Sequence, residues 1–277
     1  MTEKILILDF GSQYTQLIAR AVREANVYCE IIPYNKYTGV DAATKGIILS
    51  GSPFSVNDEK APVVNVAEMV AQLPVLGVCY GAQLTAKLYG GRVEKSDKRE
   101  YGRAFVQQLQ THPLFAGVAS RTQVWMSHSD TIKALPEGFD LLANTESIPV
   151  AAFSSAAGTT AHPLVGIQFH PEVYHSAEGK TIIKNYLYQL CGCTGDWTPA
   201  HFVTETVANL KQQIGNRKVI MALSGGVDST VAATLISRAI GKNLFGIFVD
   251  NGVLRKGEFA QVLKTYEQLD LNVKGVD

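Results

Sequence analysis

Apolar residues show two kinds of spacing in the first hundred residues of the chain. Short, mainly apolar runs occur at 5–8, 27–32, 46–49 and 73–76. Such runs are typical of strands that are covered on both faces. From position 14 to position 25, apolar residues instead recur at the spacing of an amphipathic helix, with Ser12 as its expected N-cap. Strands that alternate with helices predict a doubly wound, mostly parallel α/β sheet.

After about Arg103 the pattern becomes shorter and more β-like. The expected strands are 104–109, 123–126, 141–145, 150–154 and 164–169. A helix is expected at 177–190, and the turn-rich stretch 191–199 then predicts a domain boundary. We place the two domains at 4–193 and 194–277. The second domain begins with helical spacing at 202–214 and continues with strands at 217–223 and 244–249.

Composition narrows the class of protein. The 277 residues, 46% of them hydrophobic, allow one or two domains with a sizeable core. Lys plus Arg equals Asp plus Glu at 25 each, so no basic field favours a nucleic-acid polymer. Four cysteines do not make a disulfide framework, and Cys191 and Cys193 alone are a weak metal motif. Without a signal-peptide pattern or a membrane-length apolar run, we expect a cytoplasmic protein with reduced thiols.

Cys79 lies between an expected strand and an expected helix, with Gly77 and Gly81 two residues to either side. This layout is that of a nucleophile elbow, in which glycines allow close packing and a helix N-terminus stabilises a thiolate. A buried structural cysteine in a tight turn would give the same pattern. Cys79 is the candidate nucleophile, with that alternative open.

His170 and Glu172 follow the last expected strand of the first domain. Residues two apart in an extended segment point to the same side, so the imidazole and the carboxylate can meet while Pro171 points away. The carboxylate would then orient the imidazole, which would take the thiol proton of Cys79, as in a catalytic triad. An isolated His-Pro-Glu is more often a turn, and the elbow cysteine in the same domain is what favours catalysis.

Two polar stretches are candidates to border this nucleophile. The turn at 50–53 has few side-chain atoms, so its backbone N–H groups could form an oxyanion hole, or it is an ordinary turn. The cluster of Ser127, His128, Ser129 and Asp130 ends an expected strand and could face a substrate. A solvated loop would have the same composition.

A loop of small residues joins a strand to a helix in the second domain. Its members are Ser224, Gly225, Gly226, Val227, Asp228, Ser229 and Thr230. Such a loop presents backbone N–H groups, hydroxyls and the positive end of the helix dipole to an anion, which predicts a phosphate site. It lacks the Gly-Lys-Ser/Thr of a Walker A loop, and a structural glycine turn is the alternative.

The motifs at 77–83 and 170–173 together resemble the class I (triad) glutamine amidotransferases. The segments at 9–14 and 126–130 are similar to the GMP synthetase branch of that family, and the resemblance spans residues 4–190. It implies a flavodoxin-like fold and a reaction in which glutamine is hydrolysed to release ammonia.

The same resemblance implies roles for individual residues. Cys79 would attack the glutamine amide, His170 would act as general base and acid, and Glu172 would orient His170. The backbone N–H groups of Gly51 and Tyr80 would form the oxyanion hole. The side chain of Gln83 and the stretch 127–130 would lie near bound glutamine. Members of the family usually have Gly-Gly-Pro where this chain has Gly51-Ser52-Pro53, and the donors survive this serine only if its φ is negative.

The loop at 224–230 resembles the pyrophosphate loop of the ATP pyrophosphatases, and 250–255 is again similar to GMP synthetases. The resemblance implies an incomplete adenine-nucleotide α-hydrolase-like α/β domain that uses ATP and magnesium. ATP would adenylylate the C2 oxygen of xanthosine monophosphate, and ammonia would displace AMP to give GMP. Asp228 would help to position the magnesium, with no metal held by the protein alone.

Length and function leave alternatives open. The family continues well beyond 277 residues, so the chain is expected to be a fragment or to work with a second polypeptide, and the full-length form to be a homodimer. One alternative function is an amidotransferase serving another acceptor, which the pyrophosphate loop disfavours. Another is a non-catalytic regulator that binds glutamine or nucleotide.

Overall fold

The chain consists of two compact units, one that reaches to Trp197 and one that covers Thr198–Asp277. The structure is a computed structural model that describes residues 2–277, with the backbone alone for 97–100. At the end of the first unit, the Trp197 indole packs against Tyr28, with ring centroids 6.1 Å apart. Within the described residues, the helices are too short or too polar to cross a membrane.

One sheet organises the first unit. Its strands are β1 (Lys4–Asp9), β2 (Tyr28–Pro33), β3 (Thr44–Leu49), β4 (Val75–Val78), β5 (Arg92–Gln108), β6 (Arg121–Ala134), β7 (Phe139–Asn144), β8 (Ala152–Ser155) and β9 (Leu164–Ile167). They are ordered β2-β1-β3-β4-β9-β8-β7-β5-β6. Neighbours from β2 to β9 are parallel, and those from β9 to β6 are antiparallel. The predicted doubly wound α/β sheet is confirmed, and an antiparallel extension is added to it.

Helices cover both faces of the parallel strands. They are α1 (Thr15–Glu24), α2 (Val66–Val70), α3 (Tyr80–Leu88) and α4 (Gly179–Asn185). Ile5 and Ile7 of β1 belong to the core that contains α1 and α4, whereas Leu6 and Leu8 belong to the core that contains α2 and α3. Because successive strand residues point to opposite faces, an uninterrupted apolar run serves both layers.

One local prediction at a helix end was wrong. Helix α1 begins at Thr15 with Tyr14 as its N-cap, and the Ser12 hydroxyl instead accepts a hydrogen bond from the Tyr14 N–H at 3.1 Å. Ser12 therefore makes a local turn rather than a cap. The helix expected at 177–190 is confirmed as α4, which starts at Gly179, and a π-helical turn at Tyr186–Leu190 that follows it directly.

The polar cluster at 127–130 does not end its strand. It lies inside β6, which pairs with β5 over a long antiparallel hairpin in which Tyr101 is opposite Ser127 and Lys95 is opposite Asp130. The sequence pattern did not predict this hairpin, because charged residues at 94–100 interrupt the apolar alternation of β5. Cross-strand pairing supplies what local propensity does not.

The second unit is a smaller parallel α/β layer. Its elements are α5 (Pro199–Ile214), β10 (Val219–Leu223), α6 (Val227–Ile240), β11 (Leu244–Val249), α7 (Glu258–Gln268) and β12 (Val273–Val276). The strands are ordered β10-β11-β12 and are all parallel. Residues of α6 and α7 pack in one core with Leu223, Leu244 and Phe248. On the other face, Ile220 and Phe245 are exposed.

Two glycines allow α3 to start against the sheet. A Cβ on Gly77 would lie 2.6 Å from the backbone nitrogen of Ala82, and one on Gly81 would lie 2.5 Å from the carbonyl oxygen of Leu49 in β3. Real side chains do not approach backbone atoms this closely, so both positions require glycine. The turn between β4 and α3 is held by these contacts.

We expect Gly81→Ala to destabilise the first unit by about 3 kcal/mol or more, because its Cβ would collide with backbone that has no room to move. Gly117→Ala is the matched control: Gly117 has a φ of +72° but open space around it, so only about 1 kcal/mol of backbone strain is expected. Both tryptophans, Trp125 and Trp197, lie in the first unit, so urea unfolding followed by tryptophan fluorescence measures the difference. Equal losses in the two variants would contradict the close approach.

Candidate functional site

Cys79 occupies a strained position at the start of α3. Its φ is 53° and its ψ is −103°, an uncommon conformation for a residue with a side chain. The Cys79 N–H donates to the carbonyl of Ile167 in β9 at 2.8 Å, which ties the turn to the neighbouring strand. The helix N-terminus that follows favours negative charge on the sulfur. This is the geometry of a nucleophile elbow.

A cavity of about 370 Å³ opens beside Cys79, where the carboxyl ends of β1, β3 and β4 meet. Ligands of open α/β sheets bind at this edge. The cavity brings together most of the residues that the sequence singled out for the first domain. Those that line it are Cys79, His170, Gly51, Tyr80, Gln83, Ser127, His128, Ser129 and Asp130. Glu172 lies behind His170, outside the cavity wall.

His170 and Glu172 form a buried pair. Nδ1 of His170 lies 2.7 Å from Oε1 of Glu172, and the two side chains are 3% and 0% exposed. Burial by itself lowers the pKa of His170, but the charges of Glu172 and Cys79 and the hydrogen bonds to both raise it well above its ordinary value. An imidazole that retains its proton while it contacts the Cys79 thiol favours a thiolate–imidazolium pair.

The backbone of the 50–53 turn is compatible with oxyanion binding. A Cβ on Gly51 would lie 3.5 Å from Cε1 of His170, so the turn lies directly against the imidazole. Among the described non-glycine residues, positive φ values belong to Asn26, Cys79 and Asp270. Ser52 therefore has the negative φ that the backbone donors of this turn require. The Ser52 hydroxyl donates to the Phe10 carbonyl at 2.9 Å.

Asp130 lines the cavity and accepts hydrogen bonds through both its backbone carbonyl and its carboxylate. Its carbonyl oxygen accepts hydrogen bonds from Nε2 of Gln83 and from Nδ1 of His128, both at 2.8 Å, which sets the tautomer of His128. Its carboxylate accepts from the hydroxyl of Ser55. Burial lowers the pKa of His128 to about 4 and the nearby His170 adds to this shift, while the Asp130 carbonyl opposes it. His128 is therefore neutral at pH 7.

Two residues that contact the triad were not singled out as site residues from the sequence. The ring of Tyr14 meets the imidazole of His170 edge-on, with centroids 4.7 Å apart. The amide of Gln168 lies 3.7 Å from Sγ of Cys79. Gln168 precedes His170 by two residues, so the period of two that found Glu172 could have found it. Tyr14 belongs to the helical pattern and to the 9–14 segment of the family resemblance, neither of which placed it against His170.

The phosphate-loop candidate in the second unit surrounds the start of α6. Gly226 is the N-cap without a side-chain hydrogen bond, and Gly225 takes a φ of 78° that favours glycine. The hydroxyls of Ser224 and Ser229 lie 3.2 Å apart. An uncapped helix N-terminus with hydroxyls beside it fits a phosphate group. The described residues contain no cluster of three or more His, Cys, Asp or Glu that could hold a metal ion.

Comparison with known proteins matches each part of the chain to a family. The glutamine amidotransferase class-I model matches residues 6–190, and the NAD synthase model matches residues 200–277. The chain is 56% identical to the GMP synthase [glutamine-hydrolyzing] of Cytophaga hutchinsonii and 54% identical to that of Bacteroides fragilis, in each case over 100% of this chain and 54% of the relative. The chain thus spans about half the length of these curated relatives.

Solved structures resemble the first unit. A candidate GMP synthase component from Thermoplasma acidophilum is 30% identical, with a TM-score of 0.61 over 69% of this chain and 95% of that one. A glutamine amidotransferase from Thermotoga maritima, 22% identical with a TM-score of 0.51 over 69% of this chain and 84% of that one, shares the fold. With a family model that matches more than half of its residues, the chain belongs to the class-I glutamine amidotransferase family.

Proposed function

We propose that this chain carries the glutamine-hydrolysing function of a GMP synthase. The observation that supports it most is a cysteine at φ 53° that shares a cavity with His170, whose imidazole is paired with the buried Glu172. The names of the relatives that match the whole chain point to the same activity. In this proposal residues 4–193 form the glutaminase domain and 194–277 begin the ATP pyrophosphatase domain.

The proposed reaction begins with the Cys79 thiolate. Its electron pair forms a bond to the side-chain carbonyl carbon of glutamine, and the carbonyl oxygen becomes an oxyanion. The imidazolium of His170 gives its proton to the departing nitrogen, so ammonia leaves and a glutamyl thioester remains. Water, deprotonated by His170, then cleaves the thioester to glutamate. Glu172 keeps the imidazole oriented through the 2.7 Å contact.

The remaining cavity residues serve binding and charge stabilisation in this proposal. The N–H groups of Gly51 and Tyr80 receive the oxyanion, which is the charge that develops only in the transition state. Gln83 and the stretch 127–130 hold the substrate glutamine. A neutral His128 suits this role. A second imidazolium beside His170 would repel the positive charge that His170 carries in the thiolate–imidazolium pair.

The second unit supports the synthetase half of the proposal. The loop at 224–230 would receive the pyrophosphate of ATP, with magnesium as the counterion and Asp228 near it. Adenylylation of xanthosine monophosphate followed by attack of ammonia would give GMP and AMP. The substrates are then glutamine, ATP and xanthosine monophosphate. We assign the reaction to the cytoplasm and the full-length enzyme to a homodimer.

An electrophilic glutamine analogue is expected to label Cys79 selectively. Burial raises the pKa of Cys29 and of Cys193 to about 11 and raises that of Cys191 further, so these thiols stay protonated and unreactive. Peptide mapping by mass spectrometry after reaction at pH 7.5 measures the selectivity.

Two variants test the triad, one by labelling and one by the rate of glutamine hydrolysis. Cys79→Ala abolishes labelling, and His170→Ala slows glutamine hydrolysis by at least about a hundredfold, since the proton transfers lose their catalyst. The control Cys193→Ala leaves both unchanged. Equal labelling of all four thiols, or none, would remove the proposed function.

Pyrophosphate with magnesium is expected to bind the 224–230 loop. Ser229→Ala should weaken binding by about tenfold, since a hydroxyl bond to a charged group is lost. Thr265→Ala, which removes an exposed hydroxyl from α7, is the matched control. Titration calorimetry on the whole chain measures both. No binding to the parent chain, or equal weakening in the two variants, would contradict the loop assignment.

The first unit is expected to lose stability on acidification because of His128. Its pKa of about 4 in the folded chain lies below its ordinary value, so the unfolded chain binds more protons between pH 6.5 and pH 4. Stability therefore decreases as the pH is lowered through this range. The raised pKa of His170 acts in the other direction, and only above about pH 6.5.

Between pH 7 and pH 4.5 the His128 contribution amounts to about 2 kcal/mol. His128→Asn should therefore lose about 2 kcal/mol less than the parent over this range, by urea unfolding with tryptophan fluorescence. His162→Asn, in the same unit and outside the cavity, serves as the control. The same loss in all three chains would show that His128 is not the buried neutral group described above.

A further inference from the structure

Gln168 lies behind the reacting sulfur without being part of the triad. It directly follows β9 and is 1% exposed. Its backbone N–H donates to the carbonyl of Ala151 at 2.9 Å, which continues the pairing with the neighbouring strand. A buried amide with this fixed backbone has few orientations open to it, so its hydrogen bonds define what it does.

A chain of hydrogen bonds sets the direction of the Gln168 amide. The carbonyl of Asp130 can only accept, so the amide of Gln83 presents its nitrogen there, at 2.8 Å. The second hydrogen of that nitrogen donates to Oε1 of Gln168 at 3.2 Å. Nε2 of Gln168 must then face Sγ of Cys79, at 3.7 Å. The opposite flip would place two NH₂ groups against each other and leave an oxygen against the sulfur.

Besides His170, two polar groups lie near the sulfur, and they favour different charge states. The carbonyl of Ser127, 3.7 Å from Sγ, accepts a hydrogen bond from a neutral thiol and repels a thiolate. Nε2 of Gln168 donates, and therefore favours the thiolate. Unlike His170, Gln168 carries no proton that it can give away. Its contribution persists after the imidazolium has been deprotonated.

We propose that Gln168 is a catalytic hydrogen-bond donor to the Cys79 thiolate, oriented by Gln83 and the Asp130 carbonyl. The inference rests on the proposed function, because it takes Cys79 as the nucleophile. The donor stabilises the thiolate before attack on glutamine. It acts again when the thioester breaks and the electron pair of the carbon–sulfur bond returns to Sγ, at which stage the sulfur is the leaving group.

The test measures how readily Cys79 reacts with iodoacetamide at different pH values. Gln168→Met keeps a similar volume without the N–H, and is expected to slow alkylation at pH 6 by about tenfold, which is the loss of one hydrogen bond to a charged group. At pH 10, where the variant's thiol is also ionised, the rates should agree within about twofold. Gln168→Glu, which places a carboxylate oxygen against the sulfur, should slow the reaction at pH 6 further. Glutamine hydrolysis should show the same shift of its pH profile to higher pH.

Gln108→Met is the matched control. The amide of Gln108 also donates to carbonyl groups, those of Val118 and Ala119, but it does not border the cavity. Its pH profile of alkylation should equal that of the parent. A Gln168→Met profile that equals the parent's, or a loss that is equal at pH 6 and pH 10, would overturn the proposal, since the second result indicates only disturbed packing.

A measurement on the parent chain keeps the proposal testable if the variants do not fold. The side-chain NH₂ resonances of Gln168 should shift as Cys79 ionises, and should be insensitive to pH over the same range in Cys79→Ala. No difference between the two chains would overturn the role of Gln168. Failure of Cys79 to react with the glutamine analogue would instead remove the proposed function itself, so the two failures are distinguishable.

Discussion

Because Gly77 and Gly81 lack a Cβ, α3 can begin in contact with β4 and β3, and Cys79 is held at φ 53° between them. The rest of the site depends on this close approach. It places the sulfur at the helix N-terminus, under the 50–53 turn and beside the segment that carries His170. Backbone strain of this kind persists only where the surrounding packing over-determines the conformation, and here three buried strands do so.

The electrostatics of the cavity follow from burial. Desolvation by itself would neutralise the buried imidazole of His170, but the charges of Glu172 and Cys79 and the hydrogen bonds to both together outweigh it. His128 is buried as well, and desolvation together with the nearby charge of His170 outweighs the hydrogen bond to the Asp130 carbonyl and keeps it neutral. Of the two histidines in this cavity, His170 is thus protonated and His128 is neutral. The thiol is set between an acceptor, the Ser127 carbonyl, and a donor, the Gln168 amide.

The second unit has a local arrangement similar to that around Cys79. In both units a parallel strand ends in glycine-containing backbone at a helix N-terminus, at Cys79 before α3 and at Gly226 before α6. The first turn presents a thiol, and the second presents hydroxyls and backbone N–H groups, which are the groups that suit an anion. A class-I amidotransferase unit and a unit matched by the NAD synthase model therefore lie in one chain.

Local sequence determined the parallel strands, their helices, and the neighbourhoods of Cys79 and of His170 with Glu172, because period and glycine spacing act over a few residues. Local signals did not determine the β5–β6 hairpin or the start of α1. Pairing between distant strands decided the hairpin, since charged positions in β5 carry no strand signal. Only the tertiary structure brought Gln168 to Cys79 and Gln83 to Asp130. These contacts join residues 89 and 47 positions apart, and chain folding rather than any local propensity creates them.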